Sequence, residues 1–161
     1  MTEVSGAGLP GVSDEDAVRA LLGRESTTNH RIAVRCPRGG PAVLENRSRD
    51  AAGRPFPTRH WLACRSLSRT VARLEADGGV RELEQCCDLA AALRSSQERH
   101  AELHDGHFIA GARDPRHVKC LHAHLAFALV EGGEVGDWIR RRASVEWPER
   151  CCVRDVLEAA P

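Results

Sequence analysis

Lysine is almost missing from this chain: Lys119 is the sole lysine among 23 basic residues. A skew in base composition would produce that, so the abundance of arginine says nothing about function. Aromatic residues are also scarce, at 4%, and 23 acidic side chains balance the 23 basic ones. With few stacking platforms and no net positive field, nucleic-acid binding is not expected. Nor is attraction to an anionic membrane surface. The longest apolar run, "LAFALV" at 125–130, is far too short to span a bilayer. No basic segment leads into an apolar stretch near Met1, so no secretory leader is visible and a cytoplasmic protein is expected. No C-x-x-C occurs among the seven cysteines, four of which form the adjacent pairs Cys86-Cys87 and Cys151-Cys152. That pattern is neither a disulfide framework nor a zinc ribbon. In a reducing compartment these are thiols.

What is present reads as one α+β domain. Residues 1–12 are rich in glycine and small side chains and are expected to form a mobile tail. Ser13 with Asp16 makes a capping-box-like start to a helix that ends at Gly23. In "HRIAVRCP", Ile32, Val34 and Cys36 alternate with Ala33 and Arg35, which predicts a strand. "PRGGP" turns it into a hairpin partner at "AVLEN", and "TRHWLAC" gives a short third strand. Leu67, Val71 and Leu74 fall at helical spacing before Gly78, and "VRELEQ" begins another helix. Asp88 opens a longer helix that stops at Asp105-Gly106, and "GHFIAGAR" reads as a flexible connector. Asp114 as N-cap with Pro115 after it predicts a helix over 115–131, closed by Gly132-Gly133. "VGDWIRRR" is a last short helix, and 144–161 an extension. The expectation is an antiparallel sheet of about three strands packed by roughly four to six helices, with the 115–131 helix central. The domain proper is 13–143. Gly39-Gly40 and Gly78-Gly79 are turns and not phosphate loops.

Four blocks in order, "VRCPRGGPAV", "PFPTRHWL", "RLEADGGVRELE" and "RHVKCLHAHLA", resemble the actinobacterial family known as domain of unknown function 501. The resemblance covers roughly residues 17–140. It implies a single domain of that size and no established activity. Against the family pattern, His60 stands where an aromatic is more usual.

The chemistry concentrates in "DPRHVKCLHAHLAFAL", residues 114–129, which holds three histidines, a thiol and the lone lysine. On a regular helix beginning at 115, Cys120 and His124 share a face while His122 lies nearly opposite. Three readings follow. Cys120 is a nucleophile candidate with His124 as its base. Cys36, Cys120 and His122 are metal-ligand candidates, the metal needing donors from more than one element. Arg35, Arg59 and Lys119, with His122, are candidates for a phosphate or carboxylate pocket. The bland alternative is that Cys120 is a small buried hydrophobe. The preferred expectation is a small binding or accessory domain with an anion pocket, partnered by a small anion or another protein. A Cys-His enzyme or a Cys/His metal domain is the alternative, and no cofactor is named by the sequence. His100, His104 and His107 align at i, i+4, i+7 and are read as a solvated face outside the family blocks. Arg140, Arg141 and Arg142 at a helix C-terminus answer to the macrodipole.

Overall fold

The computed structural model describes residues 7–159. The expected α+β class is borne out. A three-stranded antiparallel sheet, β1 (His30–Arg35), β2 (Pro41–Asn46) and β3 (His60–Leu62), runs in spatial order β1-β2-β3. Among the described residues seven α-helices accompany it: α1 (Asp14–Leu22), α2 (Arg65–Ala76), α3 (Gly79–Gln85), α4 (Ala90–Leu103), α5 (Leu121–Glu131), α6 (Glu134–Ala143) and α7 (Cys152–Glu158). The number exceeds the expected range by one because the seven-residue α7, in the segment expected to be an extension, closes as a true helix.

Local chemistry explains most of the boundaries. The Ser13 side chain accepts from the Asp16 N–H at 3.1 Å, and Gly23 closes α1 in the left-handed region at φ 69°. In the hairpin, Cys36 N–H donates to Gly40 O at 2.8 Å, and Gly39 N–H returns to Cys36 O at 2.9 Å. β2, between two neighbours, buries Pro41, Ala42, Val43, Leu44 and Asn46.

The core lies between the sheet and α5, which also packs against α2 and α6. Eight of the eleven α5 residues are buried, as expected of a helix that is apolar nearly all round. α6 approaches so closely that a Cβ on Gly136 would lie 2.1 Å from the Ala128 methyl.

α5 starts at Leu121 and not at Pro115, which corrects the expected helix. The Asp114 carboxylate accepts from Arg116 N–H at 2.8 Å and from its guanidinium. That forms an Asx turn in place of an N-cap. Glu84 of α3 takes the Val118 N–H at 2.8 Å, and Cys120 is extended at φ −160° and ψ 118°.

The connector 106–113 is pinned. Fully buried Gln97 accepts from Ile109 N–H at 2.7 Å and donates to His117 O at 2.9 Å. Residues 1–6 of the expected tail lie outside the described residues, while Leu9 is buried in the core. At the other end Val145, Cys151, Cys152 and Val153 also join the core.

Candidate functional site

Cys120 is the N-cap of α5 and not part of it, so helical geometry does not set it on the opposite face from His122. Among the described residues, donor atoms of Glu75, Cys120 and His122 lie within 4.8 Å of one another. Glu75 comes from the last turn of α2. Its Oε1 accepts from Leu121 N–H at 2.6 Å and lies 3.1 Å from His122 Nδ1. The other ring nitrogen, Nε2, lies 3.0 Å from Ser68 O. A carbonyl oxygen and a carboxylate oxygen are both acceptors, so the arrangement suits a ring protonated on both nitrogens. The Cys120 sulfur and, against the opposing effect of burial, the Glu75 charge hold the imidazolium up to about 9.

Cys120 and His122 open onto a pocket of about 410 Å³. Its walls are mostly apolar: Leu21 and Leu22 from α1, Trp61 and Leu62 from β3, and Ala110 and Ala123. Ala110 is left-handed at φ 56°, a conformation that costs a non-glycine residue about 1–2 kcal/mol. The first-turn N–H groups of a helix lack intrahelical partners. That of Leu121 is taken by Glu75, and the Cys120 side chain caps none of the others. His122 and Ala123, which carry the next two N–H groups, also line the pocket.

The remaining site candidates lie elsewhere. His124 is 2% exposed, its Nε2 has no partner, and burial pushes its pKa down to about 3. Cys36 lies in the main core beside Cys151 and outside the Glu75 cluster. Arg35 is held by both oxygens of Asp14, at 2.9 and 2.6 Å, and donates to Gly39 O. Arg59 pairs with Glu45 and donates to Leu103 O at 2.6 Å. Lys119 is exposed and donates to Gly111 O at 3.3 Å. Arg35, Arg59 and Lys119 do not gather around one cleft.

The histidines of α4 are a correction. His100 and His104 are each 1% exposed. Their ring centroids are 5.2 Å apart, and Phe127 lies 5.6 Å from both His100 and His60. Arg59 N–H donates to His100 Nε2 at 3.4 Å, so Nδ1 carries the proton that is given to His107 O at 2.6 Å. This is a neutral ring, and burial pushes its pKa down to about 4. His104 Nε2 donates to Phe56 O at 2.7 Å. Neither ring nitrogen of buried His60 has a partner, and burial followed by the Arg59 charge pushes it down to about 3. The i, i+4 spacing was visible in sequence, but nothing local told a buried face from a wet one.

Glu75 is the site residue that sequence reasoning missed. It sat in view in "RLEADGG", but it meets Cys120 only through the packing of α2 on α5.

Comparison with known families gives one match. Residues 32–108 match the family described as a protein of unknown function, DUF501. The match takes in Ser68, Glu75, His100 and His104. It ends before Cys120. No curated protein and no solved structure matches the chain.

Proposed function

We propose that this chain, whose residues 32–108 match the DUF501 family, uses Cys120 as a nucleophile towards an acyl-type electrophile with an apolar body. His122 acts as the proton carrier and Glu75 as the residue that orients it. The observation behind this reading is the two-sided engagement of His122 by Glu75 and Ser68 O. It places a cation beside a sulfur that stands at the N-terminus of α5. The thiolate would add to the acyl carbon, and the uncapped N–H groups of α5 would receive the developing oxyanion. As the tetrahedral adduct collapses, the leaving group would take a proton from His122. The apolar pocket walls give the substrate body a place to be buried.

The test compares Cys120 with exposed Cys87 in the same molecule, by mass-resolved alkylation at pH 7. The reading requires Cys120 to react faster than Cys87 despite its lower exposure. His122→Gln and Glu75→Gln should each slow Cys120 and leave Cys87 unchanged. A Cys120 rate at or below that of Cys87 refutes it.

A second reading has its own observation. Glu, Cys and His supply three donors of zinc type. The His nitrogen turned to Ser68 O and the Leu121 N–H on Glu75 resemble the outer contacts that metal ligands commonly keep. A stoichiometric metal in the purified protein, with Cys120 alkylated only after chelation, would favour this reading over the first. The anion-pocket reading has less support, since Arg35 and Arg59 are each engaged within the protein. No helix of the described residues is long and apolar enough to cross a membrane. We place the chemistry in the cytoplasm, where a reactive thiol stays reduced.

A further inference from the structure

Four buried thiols meet in two pairs where α7 docks. Cys64, just after β3, has its sulfur 3.8 Å from that of Cys152. Cys36, just after β1, shares the space over Gly40 with Cys151. A Cβ built on Gly40 would lie 2.3 Å from the Cys151 sulfur and 3.5 Å from the Cys36 sulfur. All four cysteines are 3–6% exposed. The other adjacent pair differs, with Cys86 half-buried and Cys87 exposed. Two adjacent residues at the start of α7 each face a different thiol beside the sheet, and both contacts bridge distant parts of the chain.

We infer that Cys64 with Cys152, and Cys36 with Cys151, form a dithiol–disulfide site, oxidised by low-molecular-weight disulfides, that staples the C-terminal helix to the sheet. In the first pair the Cys152 thiolate attacks a sulfur of the reagent. A mixed disulfide forms, and one reagent thiolate leaves. The Cys64 thiolate then attacks the Cys152 sulfur and expels the second reagent thiolate. Two protein thiols lose two protons and two electrons, and the reagent is reduced to two thiols. Cys36 and Cys151 follow the same course. The Cys64 S–H donated to the Cys152 sulfur lowers the Cys152 thiol and raises that of Cys64, so Cys152 is the natural first attacker. Access comes from local opening. α7 has seven residues, sits near the end of the described chain and carries exposed Leu157, and short terminal elements open at low cost.

The test titrates the wild-type chain with mixtures of oxidised and reduced glutathione, then quenches with acid and maps peptides without reduction. The expected products are Cys36–Cys151 and Cys64–Cys152 bonds, each with a loss of two hydrogens and no retained glutathione. The Cys64–Cys152 bond closes a loop of 88 residues, and the midpoint of thermal unfolding should rise on the order of 10 °C. Dithiothreitol should reverse the rise. Cys152→Ala should keep only the Cys36–Cys151 bond, and Cys151→Ala only the other. A Cys151–Cys152 bond, stable glutathione adducts, scrambled pairing or no oxidation by excess oxidised glutathione would each overturn the inference.

Discussion

Lowering the pH from 7.5 to 5 should strip this protein of much of its stability, because its core holds histidines that fold only as neutral rings. His60, His100 and His124 have folded pKa values pushed down to about 3, 4 and 3. In the unfolded chain each titrates near 6.5. Between those limits the unfolded state binds the proton and the folded state does not. Stability is therefore fully present above pH 6.5 and lost as pH falls towards about 4. At pH 5 each ring lies about 1.5 units below its unfolded pKa, costing roughly 2 kcal/mol, so the three cost about 6 kcal/mol. His104 is shifted the same way. His122, raised to about 9, works in the other direction. Its stabilisation is full below pH 6.5 and fades as pH rises through 9, which offsets about 1 kcal/mol of the loss on acidification. Against a total of about 5–15 kcal/mol for a domain, the net loss is large. Urea unfolding followed by circular dichroism at pH 7.5, 6 and 5 measures it. The urea midpoint should fall steeply, and His124→Leu should flatten the dependence by close to one proton. An unchanged midpoint between pH 7.5 and 5 would refute the claim that these rings are buried and neutral.

Leu125→Ala removes a fully buried side chain from α5 and should cost about 2–5 kcal/mol; a loss under about 0.5 kcal/mol, as at surface sites, would deny α5 its place in the core. Gly40→Ala sets a methyl group where the Cys151 sulfur lies. It should cost about 1–3 kcal/mol and make Cys151 open to alkylation in the folded protein, and unchanged protection would count against the docking of α7. Lys119→Arg should be silent in thermal unfolding to within about 0.5 kcal/mol, with or without phosphate or polyphosphate. A phosphate-dependent midpoint shift in the wild type that the variant loses would restore Lys119 to an anion site.

The strands, the hairpin and the Leu67, Val71 and Leu74 stripe of α2 were legible because period-two and period-3.6 patterns are local. Cys120 and His122 were legible as chemistry, since a thiol and imidazoles crowd one stretch. Their relation was not. Asp114-Pro115 is a fair helix start on local grounds, yet the Asp114 carboxylate turns to Arg116, and Glu84 and Glu75 claim the Val118 and Leu121 N–H groups. Those acceptors come from α2 and α3, between 34 and 46 residues away. The same non-local packing hid Glu75 as the partner of His122 and hid the burial of His100 and His104. Tertiary contacts decided each case, and no window of sequence contains them.

The shape of the sheet limits how another protein can meet this one. Both outer strands are poor templates for an added strand. β3 has only three residues and follows Pro55 and Pro57, while the β1 register is irregular at Ile32/Val34 and again at Val34/Arg35. Broken or abbreviated edges resist the strand-to-strand joining that drives aggregation and β-augmentation. A docking protein would have to read side chains, on the helices or around exposed Trp61 at the pocket rim, rather than extend the backbone ladder.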